Sequence, residues 1–102
     1  MNVIIRGTTP TIKYTFNDVQ VSTITAAYMT VQMGGRTLFE KDLADATTGT
    51  NYIAWTLTQA ETISMTGEYI KVMINWLTAG GVRGASAESK FYITSNMKEV
   101  VI

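Results

Sequence analysis

The sequence contains neither cysteine nor histidine, and it has only one proline. Without cysteine the chain can form no disulfide framework and no thiolate metal site. Without histidine it also lacks the commonest general base and another of the usual zinc ligands. These absences argue against thiol nucleophiles and the usual zinc chemistry. We therefore expect a protein that is not an enzyme and that uses no metal or other cofactor.

Charge is also scarce. Eight basic and eight acidic residues give a formal net charge of zero, and charged residues make up 16% of the chain. Nucleic-acid-binding domains carry a basic surface that neutralises phosphates, so we expect no nucleic-acid partner. A net charge near zero also favours association between copies of a protein.

Long apolar runs are missing as well. The longest apolar stretches are too short to span a bilayer, so we expect no membrane partner. The first residues do not combine a basic segment with a long apolar stretch, which predicts synthesis in the cytosol without Sec export. The length of 102 residues is typical of one domain, residues 1–102.

The pattern that is present is the alternation of apolar and polar residues, which indicates β-strands. It is clearest in five stretches: TIKYTF, AAYMTVQM, NYIAWTL, EYIKVMINWL and SKFYIT. The glycine pairs Gly34-Gly35 and Gly80-Gly81 predict hairpin turns. With the short stretches VII and TLFEKDL, the count is about seven. About seven antiparallel strands with short, regular connections predict an all-β, immunoglobulin-like β-sandwich.

Two short stretches depart from this alternation. Gly7 and Pro10 predict a corner that leads from an edge strand into the second strand, because proline cannot donate a ladder hydrogen bond. Thr58 and Glu61 have the spacing of a capping box, which predicts one short helical turn near residues 58–65. Tyr69, just after this turn, is either a tyrosine corner or an ordinary surface tyrosine.

The acidic residues offer one arrangement with chemical potential. Glu40 and Asp42 lie on the same face of a predicted strand, and Asp45 follows nearby. Paired carboxylates can hydrolyse glycosidic bonds, and three can bind calcium. A solvated strand face explains the pair more simply, and the spacing does not match a calcium loop. We therefore assign no catalytic, cofactor-binding or metal-binding residues.

The two tryptophans allow a different interpretation. An exposed indole in a groove can stack on a sugar ring, so a carbohydrate-binding β-sandwich module on a virion or cell surface is an alternative function. Trp55 and Trp76, however, share their strand faces with aliphatic residues. Core packing explains that register better, and we expect both side chains in the core.

The sequence ends on three aliphatic residues, Val100, Val101 and Ile102, where a free tail would be polar. We expect these residues to be covered, either by their own domain, which we favour, or by another chain. If another chain covers them, they are the candidate contact with a partner, because a β-prone segment can add to a sheet edge.

Four stretches together, RGTTPTIKYTF, AAYMTVQMGGRTLFEKDL, WTLTQAET and KEVVI, carry a resemblance. They resemble small proteins encoded in tail or baseplate gene clusters of phages and prophages of Gram-positive bacteria. The resemblance implies an immunoglobulin-like β-sandwich that serves as a structural or assembly module of the particle. It implies other phage structural proteins as partners, and the aliphatic residues at the end of the sequence add copies of the chain itself as a further candidate. The protein would then be a virion component made in the bacterial cytoplasm.

Overall fold

Two β-sheets make up most of the structure, a computed structural model that describes residues 2–102. Its strands are β1 (Val3–Ile5), β2 (Thr11–Thr15), β3 (Ile24–Met33), β4 (Arg36–Asp42), β5 (Thr47–Thr48), β6 (Tyr52–Thr56), β7 (Tyr69–Thr78), β8 (Arg83–Ala85) and β9 (Ser89–Thr94). A single α-helical turn in this range, α1 (Gln59–Ile63), follows β6, and two 3-10 turns flank the pair β3 and β4 (Val21–Thr23 and Leu43–Asp45). The predicted all-β class is confirmed.

The two sheets differ in size and in strand direction. The larger sheet has the order β1-β9-β7-β3-β4, with β8 also paired to β7, and the smaller one has the order β2-β6-β5. All pairs are antiparallel except β1 and β9, which are parallel. Hairpin neighbours must be antiparallel, whereas β1 and β9 lie at opposite ends of the sequence and no tight turn links them.

The chain that returns from the predicted Gly80-Gly81 hairpin forms two strands, β8 and β9, instead of one. Residue pairs between β7 and β8 include Asn75 with Ala85, whereas those between β7 and β9 include Val72 with Ser89, a shift of one residue. At the break, the Ser86 hydroxyl accepts a hydrogen bond from the Ile74 backbone nitrogen at 2.9 Å. The side chain thus replaces a backbone partner. This division, together with the two-residue strand β5, accounts for nine strands in residues 2–102 where we expected about seven.

The core lies between the two sheets and forms one cluster. Buried apolar residues come from the larger sheet (Ile4, Ala27, Met29, Val31, Ile70, Val72 and Ile74) and from the smaller sheet with its flanking residues (Ile12, Phe16, Ile53, Trp55 and Leu57). These are the faces that the alternation predicted. Trp55 is fully buried, whereas Trp76 is only partly buried at the margin of the cluster.

The predicted corner lies between β1 and β2, and there the chain passes from the larger to the smaller sheet. Gly7 has a φ of 85°, which glycine adopts without strain. The Pro10 carbonyl accepts a hydrogen bond from the Leu57 backbone nitrogen at 2.9 Å. Proline therefore occupies a position where its backbone carbonyl accepts a hydrogen bond and no backbone N–H is needed.

The helical turn is also where the sequence placed it. The Thr58 hydroxyl accepts from the Glu61 backbone nitrogen, and the Glu61 carboxylate accepts from the Thr58 backbone nitrogen at 2.7 Å. This is the predicted capping box. α1 connects β6 in the smaller sheet to β7 in the larger one.

Candidate functional site

The final segment of the chain, residues 96–102, follows β9 and has no helical or strand structure of its own. Four of its side chains are exposed large apolar groups: Met97 at 104%, Val100 at 54%, Val101 at 63% and Ile102 at 86%. The expectation that the domain buries these aliphatic residues is therefore wrong. The contacts that hold the segment are polar, and they leave the apolar side chains facing outward.

An ion pair fixes the middle of the final segment. The Arg6 guanidinium lies 2.9 Å from the Glu99 carboxylate, which also accepts a hydrogen bond from the Asn96 backbone nitrogen at 3.0 Å. The Asn96 side chain in turn donates to the Arg6 carbonyl at 2.9 Å. Arg6 directly precedes the glycine of the corner, so these bonds tie the segment to the junction between the two sheets.

A glutamine side chain fixes the end of the same segment. The Gln59 side-chain oxygen accepts a hydrogen bond from the Ile102 backbone nitrogen at 2.8 Å, and its side-chain nitrogen donates to the Ile102 carbonyl at 3.3 Å. The amide thus offers a donor and an acceptor to one residue, as a neighbouring β-strand would. Hydrogen bonds therefore hold the backbone of the final segment in place, while its aliphatic side chains are exposed.

A second feature is an open cleft at the free edge of β2. It has a volume of about 390 Å³ and lies between that edge and the larger sheet. Its lining residues are Asn2, Thr11, Ile12, Lys13, Tyr14, Val72, Ile74, Ser86, Ser89 and Phe91. Tyr14 and Phe91 are partly buried and pack against the core. The cleft therefore combines a mixed polar and apolar lining with an unpaired strand edge.

The carboxylates singled out in the sequence have separate partners. Glu40 accepts a hydrogen bond from the Thr30 hydroxyl at 2.8 Å, and Asp42 accepts from the Ala44 backbone nitrogen at 3.0 Å, which caps a 3-10 turn. Both side chains belong to exposed residues. Within residues 2–102, no three acidic residues lie close enough together to hold a metal ion. These contacts give the pair structural roles on a solvated face.

Glu61 on α1 has a carboxyl pKa that its surroundings shift. Burial raises the pKa of its carboxyl, but the Thr58 hydrogen bond and the Lys41 ammonium, 3.0 Å away, outweigh burial and hold the pKa below its usual value. Lys41 lies on β4 and Glu61 on α1. The pair therefore links the edge of the larger sheet to the helical turn, a structural role.

The tryptophans do not form a stacking platform. Trp55 is fully buried, and its indole nitrogen donates to the Asp42 carbonyl at 2.8 Å. Trp76 has Phe16 edge-on with ring centroids 4.9 Å apart and Tyr14 tilted at 5.4 Å. The Trp55 indole is thus enclosed by the protein, and the partly exposed Trp76 indole is packed against two of its aromatic rings. A sugar ring would have to displace part of this packing.

The residues that order the final segment could not be identified from the sequence. Arg6 and Gln59 are 93 and 43 positions away from their partners Glu99 and Ile102, so no local spacing connects them. Val100 and Val101 were recognisable because consecutive aliphatic residues in a polar stretch are conspicuous. The sequence therefore revealed the apolar character of the segment. The residues that hold it, Arg6 and Gln59, could be identified only from the three-dimensional structure.

Comparisons with known proteins leave the chain without an assigned family. No protein-family model matches it, and neither a curated protein nor a solved structure matches it. In the part of the chain that the structure describes, no helix has the length and apolar character to cross a membrane.

Proposed function

We propose that this chain is a non-enzymatic structural or assembly module that acts through protein–protein contacts. The observation that carries the proposal is the final segment, in which Val100, Val101 and Ile102 are exposed while Arg6 and Gln59 hold the backbone in place. Burying such a side chain fully contributes about 1.5–3 kcal/mol. An ordered apolar surface of this kind is a contact that a partner can cover with little loss of conformational entropy.

We further propose that the fold is an immunoglobulin-like sandwich. Such a sandwich has strands B, E and D in one sheet and strands C, F and G in the other, with C′ beside C in the variable type. β2, β6 and β5 have the order expected of B, E and D, and β9, β7, β3 and β4 that of G, F, C and C′. This strand order supports the proposal. A rigid sandwich of this kind offers free strand edges and loops for docking.

For the biological setting we propose a phage or prophage particle, in its tail or baseplate region. The support is the resemblance of the corner, the hairpin and the helical turn to small proteins of tail and baseplate gene clusters. The protein would be made in the bacterial cytoplasm and become a virion component, with other phage structural proteins and its own copies as partners. In the bacterium that carries the gene, the chain should co-sediment with assembled particles after prophage induction.

The proposed contact can be tested by sedimentation velocity at increasing protein concentration. The full chain should form larger species, and a variant with Val100→Ser, Val101→Ser and Ile102→Ser should remain smaller. Met97→Ser is the control, because Met97 is an exposed apolar residue of the same segment and lies outside the aliphatic group. If the triple variant and the full chain show the same concentration dependence, the final segment makes no contact between copies.

A further inference from the structure

We infer that the final segment of one copy binds as an added β-strand along the free edge of β2 in a second copy. The inference rests on the proposed function, because it names the partner and the surface for the same aliphatic contact. It starts from the strand order, in which β2 lies at the margin of the smaller sheet and, within residues 2–102, pairs with β6 alone.

The backbone of β2 shows which groups are available to a second strand. The Leu57 nitrogen donates to the Pro10 carbonyl at 2.9 Å, and the Phe16 nitrogen donates to the Asn51 carbonyl at 2.7 Å. Even-numbered positions from 10 to 16 therefore direct their backbone groups towards β6. Backbone groups alternate in direction along an antiparallel strand, so the N–H and C=O groups of Thr11, Lys13 and Thr15 point away from β6, towards the free edge.

The cleft beside this edge has the length and character of a strand-binding site. Its β2 wall runs over four residues, Thr11–Tyr14, which is about 13 Å of extended chain. Glu99–Ile102 matches this length only when extended, and because its backbone bends at Val100 the segment must straighten to bind there. Tyr14 and Phe91, which are partly buried, provide apolar surface in the cleft beside the hydroxyls of Ser86 and Ser89. An extended aliphatic segment would add main-chain hydrogen bonds and cover that surface.

The other edges of the sheets are less suited to receive this strand. β4 carries Arg36, Glu40 and Lys41, charges that discourage strand addition. On β1 the Ile5 carbonyl already accepts from both the backbone nitrogen and the hydroxyl of Thr8. β2 has a single charged residue, Lys13, and its backbone is open over the longest stretch of the smaller sheet.

The acceptor edge belongs to another copy, because contacts with Arg6 and Gln59 hold the final segment at the corner and α1 of its own domain. While Gln59 binds the Ile102 backbone and Arg6 binds Glu99, the segment lies over the corner and α1 of its own domain. Donor and acceptor are different surfaces, so the contact either is reciprocal in a two-fold dimer or runs head to tail into rings or filaments. Four added residues bury far less than the roughly 1,200–2,000 Å² of a stable complex, so the association depends strongly on concentration.

The absence of native cysteine allows a clean disulfide test. In the added strand, Val101 lies on the same outer face as Lys13, with Val100 and Ile102 over the cleft. A chain with Val101→Cys should form a mixed disulfide with a second chain carrying Lys13→Cys, since facing residues lie within disulfide range. Yields should be several-fold lower for Met97→Cys with Lys13→Cys, and for Val101→Cys with Thr37→Cys on β4.

Equal yields for all pairs would overturn the assignment of β2 as the acceptor. A chain with both Val101→Cys and Lys13→Cys that closes an internal disulfide at low concentration would overturn the choice of a second copy. If sedimentation still depends on the aliphatic residues in either case, the proposed function stands and only the docking surface is wrong. If sedimentation shows no such dependence, the proposed contact itself fails.

Discussion

The hydroxyl of Thr62 lies 2.9 Å from the backbone nitrogen of Gly7 and accepts its hydrogen bond. The same hydroxyl donates to the Thr8 carbonyl at 2.8 Å. Thr62 is fully buried, and within residues 2–102 no other polar residue is buried to this degree. One side chain therefore fastens α1 to the corner between the two sheets, next to the anchors of the final segment.

Replacing this hydroxyl should be costly. Thr62→Val keeps the shape of the side chain but leaves the Gly7 N–H and the Thr8 carbonyl without their partner, and an unsatisfied buried group costs about 1–3 kcal/mol. We expect a loss of that size in the free energy of unfolding measured in urea. Thr66→Val, at an exposed position, is the control and should be close to neutral. Equal effects of the two substitutions would contradict the role of the hydroxyl.

The two tryptophans should differ in their contribution to stability. Trp55 is fully buried and hydrogen-bonded, so Trp55→Ala should cost about 3–5 kcal/mol. Trp76 is partly exposed, and Trp76→Ala should cost less. In a Trp76→Phe variant the remaining emission should be blue-shifted and poorly quenched by acrylamide. Red-shifted, readily quenched emission would show that Trp55 is accessible and would revive the carbohydrate-binding alternative.

Local rules account for the parts of the fold that could be predicted. Side chains alternate between the two faces of a strand, so the inward register of Val31, Val72 and Trp55 is visible in the sequence itself. The capping box of α1 depends on two residues only three positions apart, Thr58 and Glu61. These features need no knowledge of the rest of the chain, and the structure places them as predicted.

Long-range contacts account for what could not be predicted. At the break between β8 and β9, the Ser86 hydroxyl accepts a hydrogen bond from the Ile74 nitrogen. A serine in a strand-like stretch of sequence does not indicate that its side chain will interrupt the ladder in this way. The final segment is held by Arg6 and Gln59 from distant parts of the sequence. Because its anchors bind the backbone and a carboxylate, the aliphatic character of the segment gave no indication of where it lies.

Tyr69 illustrates a choice that only the structure resolves. Its ring packs edge-on against Tyr92, with centroids 6.4 Å apart, and the Lys90 ammonium lies 4.0 Å from its centre. Within residues 2–102 its hydroxyl has no hydrogen-bond partner. Tyr69→Phe should therefore change the free energy of unfolding by less than about 0.5 kcal/mol, as is usual for surface substitutions. A loss of 1–2 kcal/mol would restore the tyrosine corner.

Gly84 should be far less tolerant of substitution than Gly80. Gly84 lies in β8 beneath the indole of Trp76, and a Cβ there would meet the ring at 2.4 Å. At Gly80 the nearest atom is the Thr78 hydroxyl at 3.9 Å. Gly84→Ala should lower the thermal midpoint clearly, and Gly80→Ala should not.

A double-mutant cycle tests the cause of this difference. If the indole is responsible, Trp76→Leu should remove most of the additional cost of Gly84→Ala, because residues in contact show coupling of about 0.5–3 kcal/mol. Additive effects of the two substitutions would mean that the backbone of β8, and not the ring, makes Gly84 necessary.

The ion pair between Glu61 and Lys41 should make stability depend on pH in the acid range. Folding lowers the pKa of Glu61, so the folded state favours the charged form. That contribution is fully present above the unfolded pKa of about 4.3 and is lost as pH falls through the lower folded pKa. Glu61→Gln should therefore flatten the fall in stability between about pH 5 and pH 3. The variant retains an oxygen for the Thr58 nitrogen, so the helical turn should persist. Glu68→Gln, at an exposed position, should keep the full slope, and an equal flattening in both variants would contradict a specific role for Glu61.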